Sequence, residues 1–372
     1  MKALSATATP KRTNWTRLLV FSALLALASA CGGALDDGNL DRTVDEASLT
    51  EKSGAGDLVV TISMVKTYYG ENESPLVDVT ITNVARNTVK FLSWALPTAE
   101  IEENLFAVKL GGARVVYTGA VYKRKTPQAS DFITLASGQS MTGTVDLALV
   151  YDLSVSGQYT VQFDLVASKL KGQATKDAPS IQSNTLSVAI DGRGGKPPVD
   201  TGPYVKCNAT QQGTLTSAKS TADLMSGAAL TSLAGNPGAS YTTWFGAYDA
   251  GRYATAGQHF NAIHGAFDLQ GSIAATIAFD CSCKKRNVYA YVYPTKPYLI
   301  YLCGAFWAAG PRGTDSQPGT LIHEMSHFQV VASTTDYGYG QAFCKDLALT
   351  DPAKAIFNAD NHEYFAETLY GP

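Results

Sequence analysis

His323-Glu324-Met325-Ser326-His327 is the stretch on which the reading of this chain turns. On a helix, residues four apart share a face, so both imidazoles can reach one ion. Glu324 stands beside them, placed to take a proton from a water that the ion activates, without being a ligand itself. Leu321 and Ile322 precede the motif and an apolar run over residues 328–332 follows it, which suits a helix beginning near Thr320 after a break at Pro318-Gly319. The bland reading is two ordinary helix histidines. Only a third ligand separates the two.

A catalytic zinc site needs three protein ligands and one open position. No histidine lies in the metzincin position after His327. Instead Ser333-Thr334-Thr335-Asp336-Tyr337-Gly338-Tyr339-Gly340 follows, a stretch of small residues that lets the chain turn back with a carboxylate on the turn. Asp336 in such a turn is by itself ordinary turn chemistry. Behind a metal-binding helix it can complete a His₂Asp site.

At these residues the sequence resembles the aspzincins, the deuterolysin and peptidyl-Lys metalloendopeptidase family. Their mark is a zinc helix followed by Gly-Thr-x-Asp-x-x-Tyr-Gly; here Ser333 replaces the leading glycine, while the aspartate and tyrosine are kept. The resemblance covers about residues 204–372. It implies that His323, His327 and Asp336 bind one Zn2+, that Glu324 is the general base, and that Tyr339 supports the oxyanion. It also implies that Asp360 and Glu363, in the segment 358–367, line a pocket for a lysine following the cleaved bond. Two carboxylates would select an ammonium group. The competing reading of Asp-x-x-Glu is a helix capping box. Among the cysteines, the resemblance implies bridges Cys207–Cys281 and Cys283–Cys303. Cys281 and Cys283 alternate on an expected strand, so each pairs elsewhere. Cys344 is left as a buried free thiol or a partner for another chain. His259 and His264, five apart, read as structural, and His362 as structural or surface.

The rest of the chain gives the setting. Its 372 residues suggest about two domains. With 45% hydrophobic and 16% charged residues and a net charge of −3, it is a folded type without the basic stripe that nucleic acid would require. No run approaches the ~20 apolar residues of a spanning helix. Residues 1–30 have the basic flank, apolar core and Ala28-Ser29-Ala30 end of a secretory signal. Leu27 to Cys31 resembles a lipobox, with the leucine one place too far out, so Cys31 is a candidate lipid anchor to the outer membrane. Residues 31–56 read as a flexible tether.

Residues 57–191 read as an all-β, immunoglobulin-like sandwich. Strand-like runs occur at 58–64, 76–81, 106–110, 143–147 and 158–163, and Gly157-Gln158-Tyr159-Thr160-Val161 looks like a tyrosine corner. No acid–base pair or metal cluster stands out there, nor an obvious zinc-blocking residue, so this region is expected to be a propeptide that assists folding or covers the cleft until the linker is cut. Residues 192–203 are a Gly/Pro linker suited to processing. Residues 204–372 then read as an α+β zincin-type domain, with helices at 216–234 and 248–267 and strands at 274–280, 287–293 and 298–302. The expectation is an exported zinc endopeptidase, monomeric when mature, that acts on protein or peptide substrates and prefers lysine after the cut. Its alternatives are a broad-specificity protease and a non-catalytic surface lipoprotein.

Overall fold

The computed structural model describes residues 58–98, 100–166, 180–194 and 202–371. The signal, Cys31, the tether and linker residues 195–201 lie outside the described residues. What is described is a β-rich region followed by an α+β region.

The first region contributes β1 (Leu58–Ser63), β2 (Tyr68–Tyr69), β3 (Leu76–Asn83), β4 (Val89–Leu92), β5 (Phe106–Leu110), β6 (Ala113–Arg114), β7 (Val121–Arg124), β8 (Phe132–Leu135), β9 (Ser140–Asp146), β10 (Gly157–Val166) and β11 (Ser180–Ile190). The period of two decides which face is buried. In β3, Val77, Val79 and Ile81 point inward while Leu76 and Asp78 face out. One sheet runs β1-β3-β9, a second runs β2-β11-β10-β5-β6, and β4 pairs with β8. Their inner faces share one apolar core that includes Val77, Phe91, Val161 and Phe163, each fully buried. Burying a side chain of that size is worth about 1.5–3 kcal/mol. The Tyr159 hydroxyl donates to the Val155 carbonyl four residues upstream.

The second region adds β12 (Tyr204–Val205), β13 (Ala278–Asp280), β14 (Val288–Val292) and β15 (Leu299–Leu302). Its helices are α1 (Ala209–Leu233), α2 (Ala239–Phe245), α3 (Ala250–Phe267), α4 (Gly304–Ala308), α5 (Gln317–His327), α6 (Gln341–Thr350), α7 (Pro352–Ala355) and α8 (Ala359–Tyr370). Asn208 caps α1 in a reciprocal box with Gln211, and the Asp249 side chain accepts from Arg252 N at the start of α3. Disulfides join Cys207 to Cys281 and Cys283 to Cys303. Cys344 is buried and free. No helix among the described residues is long and apolar enough to cross a membrane.

Three local expectations are corrected. Helix α5 begins at Gln317, because Ser316 caps it, its Oγ accepting from Gly319 N, and because a proline in the first turn forfeits no intrahelical hydrogen bond. The apolar run after His327 does not extend the helix: Phe328 leaves the helical backbone region and the chain folds back. Strand β13 ends at Asp280, so Cys281 and Cys283 lie beyond it.

The four strands of the second region form a sheet in the order β12-β13-β15-β14, and β14 would be its edge. It is not left open. Strand β7, from the first region, pairs antiparallel with β14 and makes the fifth strand.

Candidate active site

Helix α5 is buried along its whole length from Pro318 to His327. Leu321, Ile322 and Met325 enter the core shared with Phe260, Ile263 and Phe365. That packing leaves His323 and His327 together on one side of the helix. Their Nε2 atoms lie 3.1 Å apart. After the helix the chain reverses: Ser333 N bonds Phe328 O and Thr334 N bonds Ser326 O. The reversal returns Asp336 so that its Oδ1 lies 3.3 Å from His323 Nε2 and 3.5 Å from His327 Nε2.

These distances test whether zinc fits. Ligand bonds of about 2.0–2.1 Å in tetrahedral array put neighbouring donor atoms about 3.3–3.4 Å apart. The three edges observed match. The outer ring nitrogens are also engaged: His327 Nδ1 lies 3.0 Å from Thr334 O, and His323 Nδ1 lies 2.8 Å from Asp360 Oδ1. A proton on each Nδ1 leaves both Nε2 lone pairs facing each other, which only a shared cation makes favourable. Asp336 Oδ1 has no hydrogen-bond donor either. The donor set fits zinc.

Glu324 is fully buried and neither carboxylate oxygen has a hydrogen-bond partner. Burial pushes its carboxyl up to about 8, with His323 pulling the other way. The Tyr339 hydroxyl lies 3.1 Å from Asp336 Oδ2. Asn358 holds this loop: its Oδ1 accepts from Tyr337 N at 2.8 Å, and the backbone pairs Thr335 with Asn358.

Asp360 and Glu363 lie on the first turns of α8 and are both fully buried. The capping-box reading fails, since the helix has Asn358 at its cap without a side-chain bond, while Asp360 Oδ2 accepts from Gly340 N at 2.8 Å. Asp360 therefore touches His323 on one side and the Gly340 backbone on the other. His362, also on α8, is not at the surface. It is buried, 3.0 Å from His259 Nδ1. His264 sits apart from the site, 3.2 Å from Asp223.

A lysine from the β-rich region lies against these carboxylates. Lys123 Nζ lies 2.6 Å from Glu363 Oε2, 3.4 Å from Asp360 Oδ1 and 3.0 Å from Asp315 Oδ1. It also stands 4.9 Å from the centre of the Tyr289 ring. Burial alone would push the ammonium down, but the three carboxylates outweigh it and hold it well above the ordinary lysine range. The residue before it contributes as well: Tyr122 O lies 2.6 Å from the Tyr339 hydroxyl. Lys123 thus meets the carboxylates of Asp315, Asp360 and Glu363 and not the His323, His327 and Asp336 trio. Sequence reading missed Lys123, Asp315, Tyr289 and the anchoring role of Asn358. Asp315 sits at φ 54° in a loop and carries no motif.

Two imidazoles from one helix, a returning carboxylate, a buried glutamate beside them and a phenol facing a peptide carbonyl define a metal-dependent hydrolase. The family described as "Lysine-specific metallo-endopeptidase", Aspzincin M35, matches residues 230–367. An extracellular protease of Aeromonas hydrophila is 39% identical over 80% of this chain and 89% of its own length. A peptidyl-Lys metalloendopeptidase of Grifola frondosa is 36% identical over 77% of this chain and 86% of its own. A solved zinc peptidase from Grifola frondosa is 44% identical, covering 44% of this chain and 97% of its own, with a TM-score of 0.41. The chain belongs to the aspzincin family. It is a zinc metalloendopeptidase.

Proposed function

We propose that this chain is an exported endopeptidase that cuts on the amino side of lysine, with residues 57–191 as its propeptide and 204–372 as its catalytic part. One observation carries the lysine preference: a lysine side chain lies in the acidic pocket while the carbonyl before it meets the Tyr339 hydroxyl. Three carboxylates around one buried site favour an ammonium over any neutral side chain, which would leave them uncompensated.

In this reading His323, His327 and Asp336 hold the zinc. Zinc bound there supplies Lewis-acid polarisation of the scissile carbonyl and lowers the pKa of water to about 7. Glu324 takes a proton from the attacking water and passes it to the departing amine. Tyr339 donates to the carbonyl oxygen as negative charge develops on it. Asp360 and Glu363, joined by Asp315, grip the substrate ammonium and fix which bond lies over Glu324. Asp360 also steadies His323, so the pocket and the metal ligands share a residue.

The β-rich region we read as an immunoglobulin-like sandwich, supported by its two sheets and by the Tyr159–Val155 hydrogen bond. Export is supported by the signal-like residues 1–30 and by the extracellular relative from Aeromonas. Anchoring through Cys31, processing within 192–203 and a monomeric mature enzyme complete the reading. The test is to digest one denatured protein with the exported enzyme and sequence the products. Lysine should open nearly every new peptide. Cleavage spread over many residue types would replace the lysine-directed reading with a broad-specificity one.

A further inference from the structure

Strand β7 lies in the cleft as a peptide substrate would. Three independent contacts fix its register. Val121, Tyr122 and Lys123 pair with Val292, Tyr291 and Ala290 of β14, so the segment is an added strand on a sheet edge. The Lys123 side chain fills the acidic pocket. The Tyr122 carbonyl oxygen meets the Tyr339 hydroxyl at 2.6 Å. Pocket and hydroxyl thus bracket a single peptide bond, the one between Tyr122 and Lys123. A cavity of about 290 Å³, lined by Tyr122, His327, Gln329 and Thr334 among others, opens beside Tyr122.

We propose that the Tyr122–Lys123 bond is a self-cleavage site, cut within its own molecule by the zinc-loaded chain. The proposal rests on the lysine-directed reading above and names that site's first substrate. The step is a hydrolysis with water as the only co-reactant. The water oxygen bonds to the Tyr122 carbonyl carbon, and the bond to the Lys123 nitrogen breaks. Glu324 moves the water's proton to the leaving amine. The products are a carboxylate at Tyr122 and a new amino terminus at Lys123.

The cut does not by itself free the two ends. Val121 remains paired with Val292 on one side, and on the other Arg124 is held by Glu102, whose second oxygen also binds Lys285. The product is a nicked molecule that separates into two fragments only on denaturation. This site differs from the linker at 192–203, whose severing would free the whole β-rich region.

The test uses the full chain, purified in chelator and then loaded with zinc. After denaturation, amino-terminal sequencing should find a new terminus at Lys123. The rate should be unchanged by tenfold dilution, as a cut in cis requires. Glu324→Gln should bind zinc yet nick at least about 100-fold more slowly. A zinc-loaded wild-type chain whose Tyr122–Lys123 bond stays intact overturns the proposal, as does equal nicking in the Glu324→Gln chain. Lys123→Ala, with the pocket empty, separates this failure from that of the parent reading. If it cuts added peptides before lysine while the wild type never nicks, the self-cleavage site falls and the lysine-directed reading stands. If it is folded by near-ultraviolet circular dichroism, binds zinc and cuts added peptides before residues other than lysine, the parent reading falls too. Should Lys123→Ala fail to fold, the wild-type and Glu324→Gln arms still establish whether the bond is cut by this site.

Discussion

Ser333 sits at φ 50°, in the left-handed region. There a side chain costs roughly 1–2 kcal/mol, and glycine, which the aspzincin pattern has at this position, costs nothing. The strain stands at the reversal that returns Asp336 toward the histidines. Ser333→Gly relieves it but gives the unfolded chain more freedom, about 0.5–1 kcal/mol of the opposite sign. The expected net result is a stabilisation of about 0.5 kcal/mol, read as a higher urea midpoint with unchanged slope. A lower midpoint would show that the residue bears no strain. Single residues also explain what was legible. His323, Glu324, His327 and Asp336 are coded by spacing within one helix and one turn, so the sequence displays them. Lys123 meets Asp360 across 237 positions, and no local pattern marks such an encounter.

Between helices α3 and α8 two histidines are buried against each other. His259 Nδ1 and His362 Nε2 are 3.0 Å apart, and His362 Nδ1 lies 3.1 Å from Asn358 O, an arrangement suited to two neutral rings. The rings of Phe357, Phe245 and Phe260 surround the pair. Burial pushes His259 down to about 4, and it pushes His362 well below the ordinary range, helped there by His259. Both folded values lie below the unfolded one of 6.5, so below that pH the unfolded chain binds more protons than the folded one. Stability should fall as pH drops from about 6.5 to 4, by about 3 kcal/mol for His259 alone. Denaturation at a series of pH values checks this, and His259→Phe should flatten the profile; a wild-type curve that stays level across that interval would refute it. Among the elements, long ones were easier to read than short ones. Helices α1 and α3 show as long helical stretches, whereas β7 has four residues and no alternation to betray it. Its strand character comes wholly from the edge it meets.

For the molecule as a whole, the metal is a stability term as well as a catalytic one. Without a cation, the Nε2 atoms of His323 and His327 face each other, and Asp336 Oδ1 and both Glu324 oxygens are buried without a hydrogen-bond partner. Zinc at about 100 times its dissociation constant should add about 2.7 kcal/mol, raising the melting temperature of a chain this size by several degrees. Calorimetry with zinc and with chelator should show the difference, together with loss of peptide cleavage on chelation. Equal melting temperatures would mean that the cluster holds no ion. The two-region plan was visible in composition, because all the cysteines after Cys31 lie in the second half. How the regions engage was not, since it depends on complementary charge and a shared strand edge rather than on any run of residues.

That edge has a consequence beyond catalysis. A bare strand margin offers its unpaired amides to any passing chain and so invites sideways polymerisation. In this protein the margin of β14, with Tyr289 and Tyr291 along it, is taped over by the chain's own β7. That pairing shields the margin from sideways association. In the proposed reading, release of β7 would open the same margin to the peptide to be cut.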